Sequence, residues 1–344
     1  MDLLSLSLNE LEELVSELGE PKFRAGQIFS WLHEKRVRSI DEMTNLPLSL
    51  RRKLSEQHSL AGVKEITRQV SKDGTIKFLY GLGDGNCIET VAMFYERGIS
   101  LCVSTEVGCA MGCRFCLSTK GGIVRKLTAG EILSQVYETD RILGSRITSV
   151  VMMGIGEPLD NYDASLRFMK TLIDKRGYGI SGRSVSISTC GIVPRIKELA
   201  DEMLPVTLSL SLHAATDEKR REIMPIDRKY PLMEAVEAAR YYAEKTGRRV
   251  SYEYAVIHGW NDTPEDARNL AGLLGGSLAH LNLIPVNSAG DRTMKATRAD
   301  AYAFMDMTSA LGINTTVRRT LGADIDAACG QLRSRNLSYK EELK

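Results

Sequence analysis

From residue 99 onward the chain repeats one pattern: an apolar stretch of strand length, then an amphipathic stretch of helix length. ISLCVST, ITSVVMMG, SVSISTCG, VTLSLSLH, RRVSYEYAVIHG and LAHLNLIPVN are the strand-type segments, and INTTVRRT is a short last one. Segments such as TAGEILSQVYETDRILG, VPRIKELADEM and TPEDARNLAGLL lie between them, with apolar residues at helical spacing. A buried apolar strand that returns through a helix pairs with its neighbour in parallel, and the helices cover the sheet. Six or seven such units predict an α/β core built as a full or partial (β/α) barrel. A partial (β/α)6-type, TIM-like barrel is the expected form, and an open doubly wound sheet is the alternative. The unusual polar residues fall just past strand ends: the cysteines after ISLCVST, GIGEP at 154–158, Thr189-Cys190-Gly191, His213 and Asn287. In a barrel those ends converge on one face, where barrel active sites are assembled.

The preceding residues read differently. LNELEELVSELGEP, KFRAGQIFSWLHEKR and LPLSLRRKLSEQ carry helical apolar stripes. Between about 62 and 97 short strands are broken by turns, with hairpin signals at Asp73-Gly74 and Asp84-Gly85. The expected organisation is an N-terminal helical accessory domain (1–60), a β-hairpin segment (61–98), the barrel (99–320) and a C-terminal loop and tail (321–344).

A length of 344 residues with 43% hydrophobic and 26% charged residues allows a sizeable core beneath a solvated surface. The N-terminus MDLLSLSLNELEEL alternates apolar and acidic residues, and no apolar run nears the thickness of a bilayer. A cytoplasmic location is therefore expected. The net charge of +1 advertises no nucleic-acid partner by its total, although a local basic face is compatible with it. Seven cysteines in such a chain point to metal binding or catalysis rather than a disulfide scaffold.

Cys109, Cys113 and Cys116 have C-x3-C-x2-C spacing, suited to an iron–sulfur cluster or zinc. No histidine lies between Tyr95 and Thr119 to complete a closed zinc site. Three cysteines on a cubane would leave one iron open to a ligand. Cys329 lies among Gly322, Asp324, Asp326 and Gly330, a loop composition in which a cysteine is more reactive than in a core. On pattern alone Cys102 is a strand cysteine, and Cys87 and Cys190 are small buried residues.

With Phe115 before its last cysteine, the loop resembles that of the radical S-adenosylmethionine (SAM) superfamily, and GIGEP resembles that superfamily's glycine–acid turn. Taken with ETVAMFYERGISLCVST, SLSLHA, NLIPVN and GADIDAACGQL, the resemblance narrows to the RlmN/Cfr family of radical-SAM RNA methyltransferases. It runs from EPKFRAGQIFSWL to Leu332, and Pro158 fits the RlmN branch. It implies one 4Fe–4S cluster on Cys109, Cys113 and Cys116, with SAM on the open iron. It implies SAM contacts from Gly156, Glu157, Ser188, Ser211, Leu212, His213 and Asn287. Cys329 matches the cysteine that takes a methyl from one SAM, after which a second SAM yields the radical that activates the methyl group. Cys102 matches the resolving cysteine, which forms a transient disulfide with Cys329, and Glu89 matches the proton acceptor.

The product implied is an adenosine methylated at C2 in 23S rRNA, with tRNA near the anticodon as a second substrate. The alternatives are a Cfr-like C8 product, a radical-SAM enzyme with another substrate, and a non-catalytic RNA-binding module. A flavodoxin- or ferredoxin-type electron donor and a monomeric state are also expected. Arg36, Arg38, Arg51, Arg52 and Lys53 are read as a basic face for RNA on the N-terminal helices. Arg318-Arg319 and Arg333 with Arg335 are read as basic flanks of the Cys329 loop.

Overall fold

The computed structural model describes residues 2–60, 62–275, 279–286, 294–322 and 324–325. Its strands are β1 (Lys64–Val70), β2 (Ile76–Gly81), β3 (Cys87–Tyr95), β4 (Gly98–Cys102), β5 (Glu106–Gly108), β6 (Ile123–Lys126), β7 (Ile147–Met152), β8 (Val185–Thr189), β9 (Thr207–Ser211), β10 (Val250–Val256), β11 (Ala279–Pro285) and β12 (Thr315–Val317). Among the described residues, ten of them form one sheet in the order β1-β2-β3-β4-β7-β8-β9-β10-β11-β12. The first four pair antiparallel. Every pairing from β4 to β12 is parallel. The order follows the chain without the reversal a doubly wound sheet requires. β1 and β12 are its two edges, so the barrel is partial and open.

The parallel strands are not apolar on both sides. Val150, Val185, Ile187, Leu208, Leu210, Tyr252, Tyr254, Leu281 and Leu283 belong to the hydrophobic core. The alternate positions are polar and lie in register across the strands: Ser188 beside Ser209, Ser209 beside Ser251, Ser211 beside Glu253, Glu253 beside Asn282. The parallel sheet is as expected, with strands that alternate in character rather than being apolar throughout. The outer face takes aliphatic residues because helices cover it. The inner face takes serines and a carboxylate, which leave a polar lumen instead of filling it.

The segment 61–98 supplies β1–β3, which extend the same sheet. Lys77 lies opposite Val91, Val91 opposite Cys102, and Cys102 opposite Val151, so one row crosses four strands. Val151 in turn pairs with Ser186. Residues in one such row share a face, so Lys77, Glu89 (two residues from Val91) and Cys102 face the lumen side.

The N-terminal helices Leu8–Glu17, Phe23–Phe29 and Leu48–Gln57 share the hydrophobic core with the barrel, and the short turn Leu3–Ser5 packs on the barrel helix Ala129–Leu143, which opens with a Thr128–Glu131 capping box and closes at Gly144 with φ 59°. Arg36 pairs with Asp140 at 2.6 Å and Arg38 with Glu138 at 2.9 Å. His33 Nδ1 meets the Tyr137 hydroxyl at 3.0 Å. Arg51 donates to the Asp41 carbonyl at 2.8 Å and Lys53 to the Leu18 carbonyl at 3.1 Å. Much of the expected basic face is therefore engaged within the molecule, and Arg36 and Arg38 fasten the helices to the barrel. Among the described residues no helix is long and apolar enough to cross a membrane.

Candidate active site

The cysteine loop hangs from β5 and β6, a small hairpin that the strand–helix pattern does not reveal. It is closed by Cys109 N–H to the Gly122 carbonyl at 3.2 Å and held below by Arg114 N–H to the Ile223 carbonyl at 3.0 Å. Cys109 and Cys113 are buried and Cys116 is half-buried. Cys113 belongs to an apolar cluster with Cys190, Ile223, Met224, Ile257 and Met294, on which Met111, Phe115 and Cys116 pack. Burial pushes the Cys109 thiol up to about 12 and the Cys113 thiol higher still. Among the described residues no three His, Cys, Asp or Glu side chains are gathered round one point as in a single-ion cage. A cubane gives each thiolate its own iron. It needs three soft donors around a water-poor pocket, and this donor set and its surroundings fit that demand.

Two glycines set the turn after β7. A Cβ on Gly154 would sit 2.6 Å from the Val103 carbonyl oxygen. Gly156 has φ 108°, and its Cβ would lie 2.6 Å from Glu106 Cβ. Glu157 is buried, accepting from Cys190 N–H at 2.8 Å and from Leu159 N–H at 3.0 Å, so its carboxylate joins the ends of β7 and β8. Burial raises its pKa. Glu106, absent from the sequence reading, is fully buried and accepts the Glu157 N–H at 3.1 Å. Burial, and then neighbouring carboxylates including Glu157, hold its carboxyl well above the usual range.

Ser188 lies on β8 and Ser211 ends β9; Leu212 and His213 follow. His213 has φ 60°, a conformation that non-glycine residues adopt at a cost. It is held there by its N–H to the Glu253 carbonyl at 3.2 Å, by Ala255 N–H donating to its Nδ1 at 2.9 Å and by Asn261 Nδ2 donating to its carbonyl at 2.9 Å. The acceptor role of Nδ1 places the ring proton on Nε2. Burial and the Arg220 charge lower its pKa to about 3, so it acts as a neutral donor. Phe115 of the cysteine loop meets its ring edge-on, centroids 4.8 Å apart. Arg220, entirely buried and also missed in the sequence, gathers these ends. It donates to the carbonyls of Cys190 at 2.6 Å, Leu212 at 3.2 Å and Ser211 at 3.3 Å, and to Asp227 at 3.0 Å.

Above this floor stands the wall made by β2–β4. Glu89 is buried and forms an ion pair with fully buried Lys77 at 2.9 Å. Cys102 is buried on the same face, diagonal to Glu89. Ser104 links wall and floor: its Oγ donates to the Glu89 carbonyl at 2.6 Å and accepts the Ile155 N–H at 3.0 Å. Buried Gln135 braces it, accepting from Thr90 Oγ1 at 2.8 Å and Ser104 N–H at 2.9 Å, and donating to the Ser104 carbonyl at 2.9 Å.

Asn287 and Cys329 lie outside the described residues, as do Arg333 and Arg335. The chain leading towards Cys329 is fastened to the β1–β2 turn: Gly322 N–H donates to Asp73 at 2.7 Å, Lys72 N–H to Asp324 at 3.0 Å, and the Ser71 hydroxyl also to Asp324. No disulfide joins the described cysteines. The expected partner of Cys102 is not among them.

Residues 103–271 match the family model of the radical SAM superfamily. Residues 1–60 match the ribosomal RNA large subunit methyltransferase N-terminal domain. The chain is 49% identical to the "Probable dual-specificity RNA methyltransferase RlmN" of Clostridium perfringens over 98% of both chains. It is 51% identical to the protein of the same description from Symbiobacterium thermophilum, over 96% of this chain and 90% of that one. A crystal structure of a radical SAM methyltransferase from Sphaerobacter thermophilus superposes with a TM-score of 0.90 at 42% identity, covering 96% of this chain and 98% of that one. With a polar lumen, a cysteine loop whose first two thiols are buried and a glycine–acid turn at the mouth of one open barrel, this chain belongs to the RlmN family of radical SAM proteins.

Proposed function

We propose that the protein methylates C2 of an adenosine in 23S rRNA, and an adenosine near the anticodon of tRNA, through a methyl group carried on Cys329. The observation that supports this reading best is the placement of Glu89 and Cys102 as diagonal neighbours on the lumen face, above the cysteine loop and the glycine–acid turn. An adenine C2 is an electron-poor amidine carbon and does not attack a sulfonium methyl, so polar transfer alone fails. Cys109, Cys113 and Cys116 would hold a 4Fe–4S cluster, which with SAM on its open iron supplies the 5′-deoxyadenosyl radical.

The protein's own residues do the rest. Gly156 lets the backbone approach closely, Ser188, Ser211 and Asn287 offer polar contacts to SAM, and His213 presents an Nε2 donor. As a thiolate, Cys329 takes the methyl by displacement and holds it as a thioether. Glu89 stands where it can accept the proton that leaves the base. Once the methyl carbon is bonded to the base, the Cys102 thiolate attacks the Cys329 sulfur; the bond from that sulfur to the carbon breaks, its electron pair and a proton complete the methyl group of the product, and an external thiol system or electron donor reduces the disulfide left behind. The RNA must be unstacked to present its base to a buried lumen. Arg52 and Arg319 are exposed cations available for phosphate contact.

Nucleoside mass spectrometry of rRNA and tRNA from cells lacking the gene tests the product. Loss of 2-methyladenosine from both is expected. Loss of 8-methyladenosine with 2-methyladenosine intact would move the protein to the other branch.

A further inference from the structure

We infer that Lys77 is a positioning residue for Glu89: its ammonium balances and aims the carboxylate that takes the proton from the substrate base. The inference rests on the functional reading above. Lys77 is fully buried and Glu89 nearly so, with Nζ 2.9 Å from Oε2. The register places Leu79, Val91, Cys87 and Cys102 beside them on this face of the sheet. An ion pair in such company is a costly way to stabilise a strand pair, because packed apolar side chains of similar volume do as well or better. A requirement for the carboxylate itself accounts for the pair, with the lysine as its counter-charge.

The geometry supports aim as well as charge. Lys77 is on β2 opposite Val91, while Glu89 is opposite Leu79, so the pair is a diagonal across two strands and fixes the side-chain direction. The Glu89 backbone is fixed separately by the Ser104 hydroxyl, which also holds Ile155 in the glycine–acid turn. Side chain and main chain of the proton acceptor therefore have independent anchors, one electrostatic and one tied to the SAM site. The proton transfer is simple in balance: a C–H bond of the base breaks, an O–H bond forms on Glu89, and the electron pair stays with the base.

The test uses full-length, cluster-loaded protein carrying Lys77→Met, Lys77→Arg or Glu89→Gln, with rates counted per chain bearing S-methylcysteine, so that only folded molecules contribute. Lys77→Met should form S-methyl-Cys329 within about twofold of wild type but slow adenosine methylation by roughly 10²-fold, in the range of a lost general base. Its acid limb should move to higher pH, because a proton replaces the missing cation as counter-charge. Lys77→Arg should restore most of the rate and the original acid limb. Glu89→Gln should lose the acid limb, and adding Lys77→Met to it should change little more. Wild-type rate and pH profile in Lys77→Met would overturn the inference. If that variant does not fold, an upward-shifted acid limb in Lys77→Arg, which keeps the charge, would overturn it as well. Wild-type protein that modifies neither Cys329 nor adenosine would overturn the parent reading and the inference with it; normal wild-type turnover with indifferent Lys77 variants would overturn the inference alone.

Discussion

Replacing Arg220 by Met removes the hub beneath the strand ends proposed to contact SAM. The guanidinium is entirely buried and reaches four carbonyls, those of Cys190, Ser211, Leu212 and Tyr230, while pairing with buried Asp227 at 3.0 Å. After the change Asp227 keeps only half-exposed Arg221, 3.4 Å away. Breaking one side of a buried ion pair costs about 3–5 kcal/mol, because the remaining charge is left in a medium that solvates it poorly. For a chain of this length the entropy of unfolding is roughly 0.7 kcal/mol per degree, so the melting temperature should fall by about 4–7 °C. Differential scanning calorimetry of the metal-free protein measures this directly. The double variant Arg220→Met with Asp227→Leu should recover about half of the loss or more, since no orphan charge remains. SAM affinity of the cluster-loaded single variant, measured well below its melting point, should fall by about tenfold, because the strand ends carrying Ser211 and His213 lose their common anchor. A melting temperature within about one degree of wild type, or a double variant less stable than either single, would refute the reasoning.

Other expectations can be checked in the same preparations. Gly156→Ala places a side chain at φ 108° against Glu106. It should cost about 1–3 kcal/mol of strain before the clash is counted and abolish measurable SAM binding by equilibrium dialysis, while wild-type affinity would show that the turn has room. Burial lowers the His33 pKa from 6.5 to about 3. The unfolded chain then takes up a proton that the folded chain refuses, so stability is full above pH 6.5 and declines as pH falls towards about 3, by about 1.4 kcal/mol per unit. His33→Phe keeps the ring contact with Phe29 and should flatten that part of the melting-temperature profile between pH 6.5 and 5, whereas parallel profiles would contradict the assignment.

The repeating strand–helix units, the two hairpin turns and the placement of the cysteine loop, the glycine–acid turn and His213 past strand ends were legible because each signal is local. The polar lumen was written in SVSIST and VTLSLSL as alternation, yet a stretch judged by its total apolar content hides a period of two. The ion pairs that engage part of the basic face were not legible because the partners of Arg36 and Arg38 stand about a hundred residues downstream, on a helix whose docking no single segment discloses. Lys77 and Glu89 are each unremarkable in sequence, and only strand register puts them on one diagonal. Arg220 sits in DEKRREI, a run that looks like a solvated surface. Its burial follows from the packing of the helix Asp217–Ile223 beneath the ends of β8 and β9. His213 was found by position and resemblance, while its left-handed backbone could only come from the fold.

In the proposed reaction the methyl group passes through Cys329, and Cys102 releases it. Peptide mass spectrometry on cluster-loaded protein, incubated anaerobically with SAM and then with RNA, tests this most directly. S-methyl-Cys329 is expected before RNA is added, 2-methyladenosine afterwards, and a stable protein–RNA adduct on Cys329 in Cys102→Ala. Methylated adenosine from protein whose Cys329 stays unmodified, or wild-type turnover by Cys102→Ala, would contradict it.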